Sequence, residues 1–292
     1  MTALDLRPLS LGELLDRTFF LYRRHFFLFT GIAAIPYSLL FVINLGSTLL
    51  TRFRLGEPGQ MPAAGTGAAL MGSGLLALVL GLAGFIAFLF SVGASVFAVS
   101  EIYTGHQTSI RASLHRVRGH AATIFGVLFL SGLIMLGGFI LLIIPGIYLA
   151  CRICVATAAA LLEDIGASEA IRRSFELTKD FAGRAFMIYL LYLAMAWGVI
   201  AILQLPFGIL IAVNAKQPQL VTIWLVLMQT GNFIGSVLIT PISTIGFALF
   251  YYDLRVRKEA FDLQMMLQAI GGAPIPPTIT GGVPSMFGRD AS

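Results

Sequence analysis

The sequence predicts an all-α polytopic membrane protein, a transmembrane helical bundle of six spans with amphipathic interfacial helices on its cytoplasmic face. Hydrophobic residues make up 58% of the 292-residue chain and charged residues only 11%, whereas soluble domains are roughly a quarter charged. Long apolar runs recur along the chain, and the basic residues fall into clusters between them. This composition excludes a water-soluble fold.

The apolar runs give six candidate spans, because a bilayer-crossing helix needs roughly 20 apolar residues. The run from residue 121 to residue 162 is too long for one crossing. It contains Pro145-Gly146, a turn dipeptide whose proline also removes a helix donor, so we expect two spans separated there. Within a membrane domain of residues 26–265, the predicted spans are 26–51, 66–100, 121–144, 147–162, 185–213 and 220–252.

The distribution of Lys and Arg supports six spans and gives an orientation. Of the 19 basic residues, 15 fall into four clusters that six spans place on one side, and only Arg52, Arg54 and Lys216 lie on the other. Short loops rich in Lys and Arg stay in the cytoplasm. We therefore expect a multi-pass protein of the bacterial cytoplasmic (inner) membrane with both termini cytoplasmic. The Gly- and Pro-rich tail, residues 271–292, is predicted to be disordered.

Two of the basic clusters are copies of one motif, E-x-h-x-R-[ST]-F-x-L-x-[RK], in which h is apolar. The copies begin at Glu13 and Glu169, and a weaker third copy surrounds Arg116. Each has apolar residues three to four apart and precedes a span, which is typical of an amphipathic helix in the headgroup layer. Ser10 and Glu13 form a capping-box pattern, so the first such helix is expected within residues 1–25.

These three predicted helices are called elbows below, and two interpretations of them are open. They anchor and orient the spans that follow, or they form a basic collar that binds anionic lipid headgroups or an acidic membrane or cytoplasmic protein. The basic residues flank the spans and form no single stripe, which argues against nucleic acid. The candidate lipid- or partner-contacting residues are Arg17, Arg23, Arg24, Arg116, Arg172, Arg173 and Lys179.

Polar residues inside the predicted spans are further candidates, because ionisable groups within a bilayer are usually functional. Arg152 lies in the short fourth span, within two turns of its outer end, where its side chain is expected to reach the outer headgroups. Gln229 and Asn232 lie in the sixth span, and hydrogen bonding between helices accounts for them. A transporter would instead bring several such groups together at mid-depth.

The sequence contains no recognisable catalytic, cofactor-binding or metal-binding motif. It has no HExxH, no phosphate-binding loop, no dinucleotide-binding glycine motif and no GxSxG nucleophile motif. Cys151 and Cys154 have C-x-x-C spacing but lie in an apolar span, so packed thiols are expected rather than a redox pair. We therefore expect no enzyme activity, no metal site and no cofactor.

Three segments together resemble the membrane domain of the glycerophosphoryl diester phosphodiesterase family, which also occurs as a stand-alone bacterial protein. They are LSLGELLDRTFFLYRRHF, then IIPGIYLACR followed by LLEDIGASEAIRRSFELTKD, and finally YYDLRVRKEAFDLQ. The resemblance covers residues 8 to about 265 and implies a multi-helix inner-membrane protein. In the full enzymes hydrolysis belongs to an appended soluble barrel. This sequence has nothing like that barrel, so no catalytic residue carries over.

The leading functional hypothesis is a non-catalytic membrane module that organises the membrane or docks lipid or a protein partner at the basic collar. The alternative is a small-solute or lipid transporter, which is motivated by Arg152 and the amides within the spans. A transporter of this kind predicts a water-accessible cavity that reaches Arg152.

Overall fold

The computed structural model of this protein describes the chain over residues 9–55, 66–106 and 108–259. Within these residues all regular secondary structure is helical and no strand occurs. Six helical segments are long and apolar enough to cross a membrane, which confirms the predicted all-α bundle. The predicted tail, residues 271–292, and the stretch 260–265 lie outside the described part of the chain.

The helices of the described part form three successive units, each made of one elbow and two spans. The elbows are α1, α4 and α8, and a 3-10 turn, Arg118–His120, joins α4 to α5. The units are α1 to α3, α4 to α7, and α8 to α10. The helices are α1 (Leu11–Arg24), α2 (Phe26–Leu55), α3 (Thr66–Tyr103), α4 (Ile110–Val117), α5 (Ala121–Leu141), α6 (Ile143–Ile153), α7 (Ala156–Leu162), α8 (Ala167–Leu177), α9 (Ala182–Val213) and α10 (Pro218–Glu259).

In each unit the second span lies in the interior and the first span at the periphery. In the most apolar part of each span, 56% of residues are buried in α3, 50% in α6 with α7 and 44% in α10, against 28% for α2, 17% for the segment with α5 and 6% for α9. The inner helices meet directly. Tyr252 of α10 stacks on Tyr103 of α3 with 4.6 Å between ring centroids, and Tyr251 donates a hydrogen bond to Glu163 after α7.

The elbows are structural repeats as well as sequence repeats. Each helix begins at the same position of the aligned motif, directly after Ser10, Ser109 or Gly166. The capping box predicted at Ser10 and Glu13 is present. One face of each elbow therefore packs against protein, because two aligned positions are buried in every copy, namely Leu14, Ser113 and Ala170, and then Thr18, Val117 and Ser174.

Each elbow packs on the inner span of the unit before it. Elbow α4 packs on α3, where the methyl groups of Val117 face Gly93. Elbow α8 packs on α7, and Ala160 and Ala170 share one apolar cluster there. Elbow α1 packs on α10, the inner span of the last unit, and the hydroxyl of its residue Tyr22 donates to the carbonyl of Leu238 at 2.9 Å. The three units thus form a closed arrangement.

The turn between the third and fourth spans lies at Leu142 and not at Pro145-Gly146 as the sequence predicts. Leu142 has extended backbone angles, φ −169° and ψ 158°, between the end of α5 and the start of α6. Pro145 is tolerated in the first turn of α6 because N–H groups there have no helical acceptor. The predicted single helix 147–162 is also divided, since the chain turns at Cys154-Val155 between α6 and α7.

Glycine permits the close approach of α5 and α6 beside this turn. A Cβ atom at Gly138 would lie 2.9 Å from the backbone Cα of Gly146, whereas a Cβ atom at Gly137 would meet nothing within 4 Å. A backbone atom cannot move away as the end of a flexible side chain can. Only Gly138 of this adjacent pair is therefore required by the packing.

Replacing Gly138 with Ala should lower the free energy of unfolding by about 1–3 kcal/mol, the usual cost of overpacking. The matched change Gly137→Ala should be neutral or stabilise the protein by up to about 1 kcal/mol, since Ala is the better helix former. Thermal unfolding of the detergent-solubilised protein, followed by circular dichroism, measures both changes. Equal stability of the two variants would contradict the close approach.

Candidate functional site

The basic clusters meet at one end of the bundle, which we call the basic face. It consists of the three elbows and the C-terminal ends of α3, α7 and α10. The backbone N–H of Leu9 donates to Asp253 at 2.8 Å, and Arg173 of α8 pairs with Glu163 and with Glu259 at the end of α10. This convergence agrees with the charge pattern from which six spans were predicted.

One ion-pair network joins the third elbow to the inner helices. Arg173 donates to Glu163 at 2.9 Å and also to Glu259, and Arg255 donates to Glu259 at 2.9 Å. Although burial alone would lower it, the hydrogen bonds and charges of Glu163 and Glu259 raise the pKa of the Arg173 guanidinium. The charge of Arg173 is therefore held by protein carboxylates and is not free for a headgroup.

A second network surrounds a carboxylate whose side chain has no solvent exposure. Asp253 accepts from the backbone N–H of Leu9 and from Arg257 at 3.0 Å, and it lies 3.2 Å from Arg184. Arg184 and Arg257 also donate to the carbonyl of Leu9. Asp253 therefore joins the residues before α1 to the start of α9 and the end of α10.

Arg17 and Arg116 occupy the same motif position as Arg173, and each contacts the end of α3. Arg17 hydrogen-bonds to Tyr103, and Arg116 pairs with Glu101. The aligned arginine thus has a protein acceptor in every copy of the motif. These three predicted lipid-contacting residues hold the elbows on the bundle.

Five other basic side chains of the basic face are exposed and have neither a carboxylate partner nor a hydrogen-bond acceptor within the described residues, whereas the exposed Lys258 donates to the carbonyl of Glu176 at 2.7 Å. The guanidinium carbon of Arg24 lies 5.9 Å from the centroid of the Phe20 ring. Arg172, by contrast, pairs with Glu169 and Glu176 on its own helix. Sequence reasoning named three of the five and missed Arg111 and Arg118. The five are Arg23, Arg24, Arg111, Arg118 and Lys179.

Arg152 points to the basic face, which contradicts the prediction that it reaches the outer headgroups. It lies nine residues after the start of α6, about 14 Å along the helix. Its guanidinium donates to the carbonyl of Phe175 in α8 at 2.6 Å, and its own carbonyl accepts from Ser174 and Thr178. The prediction is wrong because the turn comes earlier, at Leu142, and because α8 packs beside α6.

The amides within the spans line a separate cavity among α2, α9 and α10. It has a volume of about 270 Å³, and its walls include Gln204, Gln229 and Asn232. Gln229 donates to Thr48 at 2.7 Å and Gln204 donates to Asn232 at 3.0 Å, as hydrogen bonding between helices predicts. The side-chain carbonyl oxygen of Gln229 is buried and accepts no hydrogen bond from the described residues. Arg152 is not among the described residues that line this cavity.

The carboxylate partners of the basic face were not identified from the sequence. Asp253 and Arg257, like Arg255 and Glu259, are four residues apart on α10. That spacing places opposite charges on one helix face and could have identified both pairs. Glu163 gave no comparable local signal, because its partners come from other helices.

Comparison with protein-family models, with curated proteins and with solved structures finds no match for this chain. The described residues contain no group of three His, Cys, Asp or Glu that could hold a metal ion. Cys151 and Cys154 are free thiols, and Cys151 is buried. The basic face therefore has to be interpreted from its own geometry.

Replacing Asp253 with Asn should lower the free energy of unfolding by about 3–5 kcal/mol, because it leaves Arg184 and Arg257 without their buried counter-charge. Glu169→Gln removes an exposed carboxylate whose one ion pair within the described residues is with Arg172, and it should cost less than about 1 kcal/mol. Thermal unfolding in detergent compares the two variants. A similar small effect at both positions would contradict the central place of Asp253 in the packing.

Proposed function

We propose that the protein is a non-catalytic membrane module that docks anionic lipid headgroups at its basic face. The observation that carries the proposal is the division of the basic residues into two sets. Arg173, Arg184, Arg255 and Arg257 are paired with protein carboxylates. Five exposed cations have neither a carboxylate nor a hydrogen-bond acceptor within the described residues, so their charge is free to pair with lipid phosphates.

The unpartnered cations precede the peripheral spans. Arg23 and Arg24 end α1 directly before α2, Arg118 begins the 3-10 turn before α5, and Lys179 lies three residues before α9. Positive charge therefore surrounds the bundle where its lipid-facing helices begin. Basic residues beside a membrane attract the anionic cytoplasmic leaflet by about 1 kcal/mol each.

The orientation of the chain in the membrane and its family membership are part of the same proposal. We infer that the basic face and both termini are cytoplasmic in a bacterial inner membrane, because basic loops stay inside. Membership of the membrane-domain family named above is proposed on the three resembling segments alone. An acidic surface of a protein partner would bind through the same charges.

Replacing Arg23, Arg24, Arg111 and Arg118 together with Gln should remove most of the preference for anionic lipid. At about 1 kcal/mol for each residue, the ratio of retained phosphatidylglycerol to phosphatidylcholine should fall by at least about tenfold. Native mass spectrometry of the protein released from mixed nanodiscs measures this ratio directly.

Lys216→Gln is the matched control, because Lys216 is exposed in the turn between α9 and α10, at the far end of these helices from the basic face. It should leave the lipid ratio unchanged. An unchanged ratio in the variant with four substitutions would refute lipid docking at the basic face. An equal loss in the Lys216 variant would show a general charge effect instead.

The second candidate function is transport of a small solute or lipid, and the cavity lined by Gln204 and Asn232 favours it. None of the described residues that line this cavity is acidic or basic, so an uncharged, hydrogen-bonding solute or headgroup would suit it. Arg152 is not among the described residues that line this cavity; it lines a different cavity at the basic face.

An Asn232→Cys variant without Cys151 and Cys154 tests transport by its reaction with a membrane-impermeant maleimide. A transporter should expose this position to each side of the membrane in turn, so reagent added to either side should react. Lys216→Cys is the control and should react from one side only. Protection of Asn232→Cys from both sides would contradict transport.

A further inference from the structure

We propose that a cavity beside Arg152 binds a phosphate group and that a phospholipid supplies it. The inference deepens the proposed function and rests on it, because the proposed function places the basic face at the level of the lipid headgroups. The cavity has a volume of about 570 Å³. Its walls are Tyr148, Arg152, Lys179, Asp180, Ala182 and Gly183.

Two cations, Arg152 and Lys179, line this cavity, and neither has a carboxylate within ion-pair distance in the described part of the chain. Lys258 at the end of α10 does not line it and donates to the carbonyl of Glu176 at 2.7 Å. Asp180 is the single carboxylate among the described lining residues, so positive charge remains in excess. A cleft lined mainly by one sign of charge concentrates the opposite ion.

Arg152 is held in a defined orientation at the edge of the cavity. Its Nη2 donates to the carbonyl of Phe175 at 2.6 Å, and its guanidinium lies 5.2 Å from the ring of Phe175 and 5.8 Å from that of Tyr148. Its Nη1 has no hydrogen-bond acceptor among the described residues. A positioned guanidinium with donors to spare suits phosphate, whose oxygens match the planar set of Arg donors.

The surroundings of the cavity favour a lipid as the source of the phosphate. Tyr148 is 52% exposed, and Ile144, about one turn before it on α6, and Ile147, the residue directly before it, are exposed as well. The first turns of α9 likewise expose Phe186 and Met187. The cations therefore adjoin an apolar surface that suits acyl chains. A phospholipid would match both parts, with its phosphate on the cations and its chains on the apolar side chains.

Native mass spectrometry in a neutral detergent tests the site with three probes. Phosphatidic acid is the lipid probe, diacylglycerol is the corresponding lipid without phosphate, and inorganic phosphate is the soluble probe. We expect one phosphatidic acid to bind per protein. Diacylglycerol should bind at least about tenfold more weakly, because it lacks the charged hydrogen-bond acceptors.

Two variants test separately whether binding depends on the charge of the cavity and on its open volume. Lys179→Gln removes a cation that has no ion-pair partner within the described residues and should weaken phosphatidic acid binding about tenfold. Gly183→Leu fills the cavity without changing its charge and should abolish that binding. The fold should tolerate this leucine, because a Cβ atom at Gly183 meets nothing within 4 Å.

Matched controls lie elsewhere on the protein. Gly198 is an exposed glycine of the same helix, also with nothing within 4 Å of a Cβ atom, and it does not line the cavity. Gly198→Leu should therefore bind phosphatidic acid as the unchanged protein does. Lys216→Gln, which removes one positive charge remote from the cavity, should do the same.

Equal binding of phosphatidic acid and diacylglycerol would overturn the phosphate site, as would unchanged binding by both cavity variants. Inorganic phosphate that binds as tightly as phosphatidic acid would support the phosphate site and overturn the lipid source. The variant with four arginine substitutions retains Arg152 and Lys179. It should keep the single phosphatidic acid while losing its general anionic preference, so the two proposals fail separately.

Discussion

The pairing of buried charge at the basic face is the constraint on which the rest of the structure depends. Asp253 has a fully buried side chain, and a buried charge without a partner costs several kcal/mol. Its cations come from α9 and α10, and its backbone donor comes from the residue before the cap of α1. The helix ends must therefore meet at one place, because only then does this carboxylate find its partners.

The three repeated units place a similar polar contact at three positions around the bundle. Each elbow docks on the inner span of the unit before it, and the aligned arginine supplies a polar contact, from Arg17 to Tyr103, from Arg116 to Glu101 and from Arg173 to Glu163. The anchoring interpretation of the elbows accounts for these residues. Lipid docking is proposed for the exposed cations that this anchoring leaves unpaired.

Local patterns made much of the architecture predictable from the sequence. Apolar runs, charge clusters and the elbow motif depend on residues that are near one another along the chain, so helices and elbows could be identified. Pro145 shows where such reasoning stops. Proline is as compatible with the first turn of a helix as with a turn between helices. The approach of Gly138 to Gly146 decided between them, and no local pattern contains that contact.

The sequence by itself determined the helical class, the six segments able to span a membrane and the clustering of positive charge, because hydrophobicity and charge are properties of local composition. Only the tertiary structure decided which of those charges are paired. Arg173 and Lys179 belong to the same motif copy, yet Arg173 is held by Glu163 and Glu259, whereas Lys179 has no ion-pair partner in the part of the chain that the structure describes. The difference lies in acceptors that other helices bring into place, and their positions follow from packing over the whole chain.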